Sequence, residues 1–589
     1  MRELLALLCC ILSTVPAGAQ TIWVTGAVED SITHNPLPGV TVSVMNDTVK
    51  VLTNTYGLFR IVIPPGGSGL VFEHPRYESR SVAIENYGRM LVALIPKDKD
   101  KGAGDIAIAK AKAKARLAHS SNPNYGNTGM GIHAFFDETY GTIYENKFVE
   151  TMKSATSNFA LDVDRAAYSN IRRFIRLKER VPADAVRIEE MVNYFHYNYP
   201  LPDSNGLLAI HTSYAACPWQ PAHKLLQIAV RAKQVDIDSL PASNLVFLID
   251  VSGSMGTSNK LPLLQAAFRV LVNNLRPNDR VAIVAYAGAP GVILPATPGD
   301  QKEKILNAID YLSAGGATAG EAAIKMAYQI AVENFIPGGN NRVIMATDGD
   351  FNVGQTSDRE MEELILEKKE SGVLLTCLGF GMGDYKDSKL ETLSSKGNGN
   401  FAYIDNLEEA NKIFAQEFGS TLFTVAKDAR AQVWFNPEVV QSYRLIGYEN
   451  KVLKEDNSNG DKIVGGIIGA GHCAVALYEI IPRDSANGAD SLLGEVRLWY
   501  REPSDSALQS MRHDISGRAT AFEDASSDFR FASSVALLGM LLRKSEYKGA
   551  GTAAMVTAIA KRSLGRDKGG YRREFLKLVK ELRKTKHVQ

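Results

Sequence analysis

Cysteine is scarce in this chain, which has five among its 589 residues. Two of the five stand in the first apolar run, so that only Cys217, Cys377 and Cys473 remain in the rest of the sequence. A disulfide framework therefore cannot be the source of stability. Whether Cys217 and Cys473 pair stays open. Cys377 lies in the apolar run 373–378 and is predicted to be a buried thiol.

An excess of charge and long apolar segments are also missing. Lys and Arg number 66 and Asp and Glu 65, which gives a formal net charge of +1. A chain so balanced has no overall attraction for nucleic acid or anionic lipid, and we expect no nucleic-acid partner. No stretch beyond the start of the chain reaches the roughly 18 apolar residues that a membrane-spanning helix needs, so none is expected in the mature chain. With 45% apolar and 22% charged residues, the composition is that of a globular protein.

The first 19 residues have the pattern of a secretory signal. A charged start at 1–3 precedes the apolar run 4–15, and small residues lead to Ala19. We expect cleavage after Ala19 and a mature chain that is secreted across the inner membrane, either periplasmic or associated with the outer membrane or cell surface. A buried N-terminal helix is one alternative. Lipid attachment at Cys9 is another, which the preceding Leu8 disfavours because lipoprotein signals resemble a small residue followed by Cys.

Residues 20–97 alternate apolar and polar positions over short runs, and turn sequences at 35–39 and 64–67 separate these runs. The pattern predicts a small antiparallel β-sandwich. Residues 98–132 are rich in charge, Ser, Asn and Gly, which predicts a linker.

Three motifs of this first region resemble the carboxypeptidase regulatory-like domain: Val24-Thr25-Gly26, Pro36-Leu37-Pro38-Gly39-Val40-Thr41-Val42 and Thr55-Tyr56-Gly57-Leu58-Phe59. The name of that module implies no peptidase activity. Tyr56 departs from the family pattern, which has Asp or Asn at this turn position.

Residues 243–423 alternate between apolar runs and helical patterns. The runs 244–249 and 343–346 are continuous, as strands buried on both faces must be. Strands separated by helices of this length predict a doubly wound parallel sheet of the α/β class, with Phe401 to Ile404 at one edge.

Two further segments, 133–242 and 424–589, flank this α/β region. Helical periodicity near 166–177 gives way to strand-like runs within 207–232, and strands within 429–500 precede a helical end. Each strand set is too small to bury a face alone, so we expect the two sets to join in one β-sandwich.

Oxygen-bearing side chains follow the ends of the buried strands. Asp250, Ser252 and Ser254 stand at alternate positions after the first strand, Thr318 lies between glycines, and Asp348 follows another strand. Loops at the carboxyl ends of parallel strands meet near the switch point of the sheet. Two carboxylates and three hydroxyls are hard donors that suit Mg²⁺, or Mn²⁺ or Ca²⁺. Because so few ligands are anionic, a partner carboxylate could complete the shell, and Asp250 or Asp348 is expected to act partly through water.

This arrangement resembles the metal-ion-dependent adhesion site of von Willebrand factor type A domains, with all five motif positions filled. The segments 186–195, 349–354 and 379–383 are similar to a bacterial YfbK-like group, and the likeness covers about residues 140–585. In that group the A domain is flanked by N- and C-terminal segments of its own. The resemblance implies the A-type fold and a metal held by these five residues.

Other acidic residues leave alternatives open. Asp350 and Glu321 are candidates for groups that surround the metal ligands, or are ordinary surface carboxylates. Asp162 and Asp164 could form a second metal site, but a helix cap before Ala166 is the prediction because Asp suits that position.

The end of the chain is basic, with eleven Lys or Arg against three Asp or Glu over 561–589. Phe575, Leu578, Val579 and Leu582 share one helical face. We expect this helix to dock on the β-rich C-terminal segment with its basic side chains in solvent. A helix lying on a membrane surface, and so a peripheral envelope association, is the alternative.

The predicted function is an extracytoplasmic, divalent-metal-dependent protein-binding module for adhesion or scaffolding, whose partner supplies a Glu or Asp to the metal. A metal-dependent hydrolase or a regulatory subunit of an envelope complex is the alternative. The chain has no H-E-x-x-H pair, G-x-S-x-G elbow or P-loop lysine motif, so we expect no enzyme activity.

Overall fold

A computed structural model gives the fold. It describes residues 22–585 except 32–36, 38, 46, 54–57, 65–67, 85–88, 98–137, 139, 162–163, 205, 237–239, 258, 288, 316–319, 350–357, 382–386, 418, 420–422, 454–464, 484–490 and 504–506. The chain forms two compact units, 1–127 and 128–589. The predicted signal 1–19 and linker 98–132 lie outside the described residues.

The first unit is built from strands only, as far as it is described. Its strands are β1 (Ile22–Asp30), β2 (Thr41–Val44), β3 (Lys50–Leu52), β4 (Leu58–Ile63), β5 (Gly69–His74), β6 (Tyr77–Ala83) and β7 (Arg89–Leu94). They form two sheets with the orders β4-β1-β7 and β3-β2-β5-β6. Val24 and Phe59 of the first sheet share one core with Val42 and Phe72 of the second, so the predicted sandwich is present. It is not wholly antiparallel, because β1 pairs with β7 in parallel.

The second unit begins with a flanking segment of mixed structure. Its elements are β8 (Val149–Glu150), β9 (Thr156–Ala160), α1 (Ala166–Arg176), α2 (Ile188–Asn193), β10 (Leu208–Ala216) and β11 (Lys224–Ala232). Ten of the eleven residues of α1 are buried, so this helix is packed on nearly all sides. The sequence region predicted to be helical near 166–177 is therefore helical.

A six-stranded sheet follows. Its elements are β12 (Ser243–Asp250), α3 (Leu261–Asn273), β13 (Arg280–Ala287), β14 (Ala289–Pro298), α4 (Lys302–Asp310), α5 (Gly320–Glu333), β15 (Asn340–Thr347), α6 (Asp358–Lys369), β16 (Leu374–Phe380), α7 (Asp387–Lys396), β17 (Phe401–Ile404) and α8 (Leu407–Asn411). The strand order is β14-β13-β12-β15-β16-β17. Every residue of β12 is buried, because helices cover both faces of the sheet.

This sheet departs from the prediction at one edge. Five strands are parallel, but β14 pairs antiparallel with β13. The sequence pattern missed β14 because Pro290, Pro295 and Pro298 interrupt it, and proline is tolerated in sheets mainly at edges. The α/β fold class is as predicted, with a mixed sheet rather than a wholly parallel one.

The last part of the chain completes the first flanking segment. Its elements are β18 (Thr424–Phe435), β19 (Val440–Ile446), β20 (Gly466–Gly469), β21 (Cys473–Pro482), β22 (Leu492–Arg501), β23 (Leu508–Ser516), α9 (Ser527–Arg543), α10 (Ala553–Arg562) and α11 (Tyr571–Lys584). The sheet orders are β10-β11-β21-β19-β8 and β20-β18-β22-β23, with β9 on β18. Ile228 and Tyr478 of one sheet share a core with Val433 and Leu498 of the other, so both strand sets join in one sandwich, as predicted.

A helical layer covers the outer face of this sandwich. Its helices α1, α2, α9, α10 and α11 share one core with Leu225, Val475 and Leu477 of the sheet. The basic helix α11 buries the predicted apolar face, but it packs against α10 and α1 rather than on the β-rich segment. Its apolar face is thus inside the protein, since α10 and α1 both carry matching apolar residues.

Cys217, Cys377 and Cys473 are all buried free thiols, so Cys217 and Cys473 do not pair in this structure. In the described part of the chain, no helix is both long enough and apolar enough to cross a membrane.

Candidate metal site at the carboxyl edge of the sheet

The candidate residues stand at the switch point of the six-stranded sheet. The chain runs from β12 outward to β13 and β14, then returns to β15 on the other side of β12. Asp250 ends β12 and Asp348 directly follows β15, so these two carboxylates belong to neighbouring strands that diverge at this point. Loops separate where the winding reverses, which leaves room for a ligand.

Asp250 is fully buried and held on both sides. Its Oδ1 accepts a hydrogen bond from the Ser252 backbone N–H at 2.8 Å, and its Oδ2 accepts one from the Thr347 hydroxyl at 2.9 Å. Burial raises the pKa of Asp250 to about 6, and the charge of Asp348 acts in the same direction. Both oxygens of Asp250 are therefore held in place by hydrogen bonds, and its role as a ligand through water stays a prediction.

Ser252 and Ser254 point to a common place. Ser252 precedes a short 3₁₀ turn, Gly253–Gly256, and the two hydroxyl oxygens lie 3.0 Å apart. The backbone N–H of Val251 donates to the carbonyl of Tyr286 at 3.1 Å, which fixes the loop to β13. The alternate spacing of the motif therefore brings its hydroxyls together, as the sequence predicts.

The loop that starts near Gly315, in which the sequence places Thr318, is bonded to the loop that follows Asp250. The backbone N–H of Gly315 donates to the carbonyl of Val251 at 2.7 Å, which ties the start of this loop to the Asp250 loop. Thr318 itself lies outside the described residues. Its place in the site remains a prediction.

The third loop carries Asp348, which is 1% exposed. Gly349 adopts φ +91°, a conformation that favours glycine, and its N–H donates to the Thr347 hydroxyl at 3.1 Å. Thr347 therefore bonds to both carboxylate-bearing loops. Because one hydroxyl links the loops after β12 and β15, the two predicted ligands are held in a shared network.

Sequence reasoning missed one charged group here. The Lys260 ammonium donates to Asp348 Oδ2 at 2.8 Å, and its side chain is 5% exposed. Lys260 stands just before α3, where a lysine ahead of an apolar helix has the pattern of a solvent-exposed residue. Its position ten residues after Asp250 gave no signal that it turns back into the site.

Of the other acidic candidates, the structure describes two and leaves two undescribed. Asp350 lies outside the described residues, as does Asp162. Glu321 accepts a hydrogen bond from Lys325 at 2.6 Å on the helix surface, the contact expected of an ordinary surface carboxylate. Asp164 does not cap α1: the cap position is Arg165, and Asp164 instead accepts the backbone N–H of Phe401 at 2.9 Å.

The described donors suit a hard divalent cation. Asp250, Ser252, Ser254 and Asp348 offer oxygens only, which is the ligand type that Mg²⁺ and Mn²⁺ take. Among the described residues, no group of three or more His, Cys, Asp or Glu has the geometry of a metal site. A site with only two carboxylates among its ligands does not form such a group. The residue types present fit a bound metal with few anionic ligands.

Comparison with known proteins gives the family. The model for the von Willebrand factor type A domain matches residues 244–416, and the model described as "Uncharacterized protein YfbK, C-terminal" matches 420–585. The protein called "Uncharacterized protein YfbK" of Escherichia coli (strain K12) is 36% identical over 487 residues, which cover 79% of this chain and 83% of that protein. The chain belongs to the YfbK-like family. A further model, "von Willebrand factor", matches 134–227.

Other likenesses are more distant. The magnesium-chelatase 67 kDa subunit of Chlorobaculum parvum is 22% identical over 231 residues, covering 34% of this chain and 37% of that protein. A solved structure, "von Willebrand factor type A from Catenulispora acidiphila", covers 64% of this chain and 97% of its own, at 17% identity and a TM-score of 0.38. Type A domains commonly bind a divalent metal, and the A domain of this YfbK-like protein is compatible with protein binding or adhesion.

Proposed function

We propose that this YfbK-like protein is an extracytoplasmic module that binds a partner protein through a divalent metal, for adhesion or scaffolding. The observation that carries the proposal is the meeting of Asp250, the paired hydroxyls of Ser252 and Ser254, and Asp348 at the switch point of the sheet. Thr318 is proposed as the fifth ligand. Mg²⁺ is the proposed ion, with Mn²⁺ or Ca²⁺ as substitutes.

The chain's own groups would set the character of the site. Asp250 is anchored by Ser252 and Thr347, so it cannot swing freely. The serine hydroxyls are neutral donors, so the described ligand set carries little negative charge. A bound divalent cation would supply an electron-poor centre, for which a Glu or Asp of the partner is the matching group. That residue type defines the partner we propose.

The proposal extends to location and layout. The signal pattern supports export across the inner membrane, to the periplasm or to the outer membrane or cell surface. We propose residues 20–97 as a carboxypeptidase regulatory-like sandwich, 98–132 as a linker, and the flanks 133–242 and 424–589 around the A domain 243–423. Mass spectrometry of the N-terminus of the native protein tests the export step, with Gln20 as the expected first residue.

Partner capture tests the function itself. Native envelopes are crosslinked with the full chain in Mg²⁺ or in EDTA, and the captured protein is then purified and tested for direct binding. We expect EDTA and D250A each to abolish binding, because both remove the metal from its ligands. D310A is the matched control, since Asp310 is a surface carboxylate paired with Arg269.

Circular dichroism and the unfolding transition of D250A show whether its fold is intact. Binding that is indifferent to EDTA and to D250A contradicts the proposal. Turnover of a generic ester, phosphate or peptide substrate by pure protein, lost in D348A, would instead favour the hydrolase.

A further inference from the structure

Lys260 places an ammonium group in the candidate metal site. Its ammonium lies 2.8 Å from Asp348 Oδ2, and the two side chains are 5% and 0% exposed. The electrostatic attraction within a buried ion pair of this kind is much stronger than in water, because little solvent screens the charges. One of the proposed ligand carboxylates, Asp348, is therefore in direct contact with an ammonium.

The path of the Lys260 side chain is built into the fold. Gly381, after β16, has φ +82°, and a Cβ at this position would stand 2.3 Å from Lys260 Cγ and 2.6 Å from its Cε. The hydroxyl of Tyr403 donates to the carbonyl of Gly381, which holds that loop from the other side. Only glycine leaves space for the lysine stem, so the ammonium is directed at Asp348 rather than placed there by a flexible surface chain.

Lys260 and a bound metal would compete for the same carboxylate, that of Asp348. Asp348 Oδ2 accepts a hydrogen bond from the ammonium, so its charge is partly neutralised before any metal arrives. Two cations close together in a buried place also repel each other. On electrostatic grounds, Lys260 therefore opposes the binding of a divalent ion next to Asp348.

We propose that Lys260 is a built-in competing cation that weakens divalent-metal binding by the free protein and restricts how Asp348 can take part. This inference rests on the proposed function, because it concerns the same metal. Its consequence is that the site depends on the incoming acid of a partner: a negative group offsets the lysine's charge and makes metal and partner bind together.

Metal titration of the full chain tests the inference. Mn²⁺ binding is followed by electron paramagnetic resonance and by calorimetry, with Mg²⁺ as competitor, for the wild type, K260M, K260R and K325M. We expect K260M to bind Mn²⁺ about tenfold or more tightly than the wild type, since one buried positive charge is gone. K260R keeps the charge and should stay near the wild type. K325M removes a surface ammonium paired with Glu321 and should change little.

Thermal unfolding supplies a second readout. In EDTA, K260M should unfold at a lower temperature than the wild type, because Asp348 loses its ammonium partner. Added Mn²⁺ should raise the unfolding temperature of K260M more than that of the wild type. A purely structural lysine would give the first effect without the second.

The outcomes separate the two proposals. Mn²⁺ binding by the wild type with equal or weaker binding by K260M overturns the role of Lys260 and leaves the proposed metal site standing. Absence of Mn²⁺ binding in both proteins removes the metal site and this inference with it. Tighter binding in K260M than in K260R supports the inference, because the two differ in charge while both fill the channel beside Gly381.

Discussion

The two edges of the A-domain sheet are protected in different ways. At one edge, β14 runs antiparallel to its neighbour, carries three prolines and leaves Val292 and Ile293 49% and 39% exposed. At the other edge, β17 is covered by α1 of the N-terminal flank. The first edge relies on its own sequence to discourage pairing with other chains, whereas the second relies on another part of the protein.

The covered edge is joined to the flank by specific polar contacts. The Ser169 hydroxyl of α1 donates to the carbonyl of Tyr403 at 2.8 Å, and Asp164 accepts the N–H of Phe401. These contacts satisfy backbone groups that an exposed edge strand would present to solvent or to another chain. The flank is thus bonded to the edge of the A domain itself.

A buried ion network extends this joint. Arg172 of α1 binds Asp405, Glu409 at 2.6 Å and Glu574 at 3.2 Å, and Arg187 binds Asp387 and Glu391 at 3.0 Å. Both arginines are 2% exposed. On this side the flank is thus structurally part of the A domain, and the likeness to the Escherichia coli protein, over 487 residues, is longer than the A domain alone.

The largest effect should come from Arg172. In R172M the three carboxylates lose a buried partner, and we expect a loss of about 3–5 kcal/mol in the free energy of unfolding. R269M is the control near the other edge, because Arg269 and Asp310 form a pair that is 47% and 41% exposed. It should cost about 0–1 kcal/mol. Urea unfolding measures both; similar losses would show that the two sides are equally dependent on ion pairs.

Low pH should destabilise the protein through the buried residue His472. Burial, then the charges of Arg165, His196 and Lys412, hold the pKa of His472 well below its usual 6.5. The neutral ring is therefore favoured in the folded protein, and the stability that this brings is present above pH 6.5 and lost as the pH falls below it. The wild type should therefore lose about 2 kcal/mol more of its free energy of unfolding than H472Q does when the pH falls from 7 to 5.

Urea unfolding of the wild type and H472Q at a series of pH values measures this difference. Parallel pH profiles for the two proteins would mean that His472 titrates alike in the folded and unfolded states. The charged neighbours are common to both proteins, so their own titration cancels in the comparison.

The smallest expected effect concerns the edge strand alone. S169A removes the hydroxyl that donates to Tyr403, and we expect it to lower the free energy of unfolding by about 1 kcal/mol. V292S, on the exposed strand β14, should stay within about 0.5 kcal/mol of the wild type. If V292S costs as much as S169A, the contrast between the two edges is lost.

Local patterns predicted much of this molecule. Continuous apolar runs such as 244–249 fixed the buried strands, since each residue must suit a covered face. The position of Asp250, Ser252 and Ser254 directly after a buried apolar run predicted that their loop lies at the carboxyl edge of the sheet, because parallel strands all end at that edge. Thr318 could not be compared, as it lies outside the described residues.

Long-range contacts were beyond such patterns. The buried ion pairs of Lys260 and Arg172 were not predicted, because nothing near these residues in the sequence reveals a buried acid more than 80 positions away. Asp164 suited a helix cap locally, yet the N–H of Phe401 is its partner. The edge strand β14 was hidden by its prolines, the residues that protect an edge and also erase the strand signal.

The contact between Arg172 and Glu574 joins residues 402 positions apart. In the described part of the larger unit α1 is the first helix and α11 the last, so the Arg172 guanidinium gains its contact with Glu574 only when α11 is in place. A ribosome must finish the whole A domain before this match is made, so a nascent chain that stops early leaves α1 without its final partner. A chain that stops before Tyr571 would lack α11, and we expect the loss to weaken the packing of α1, which lies about 400 residues earlier in the sequence.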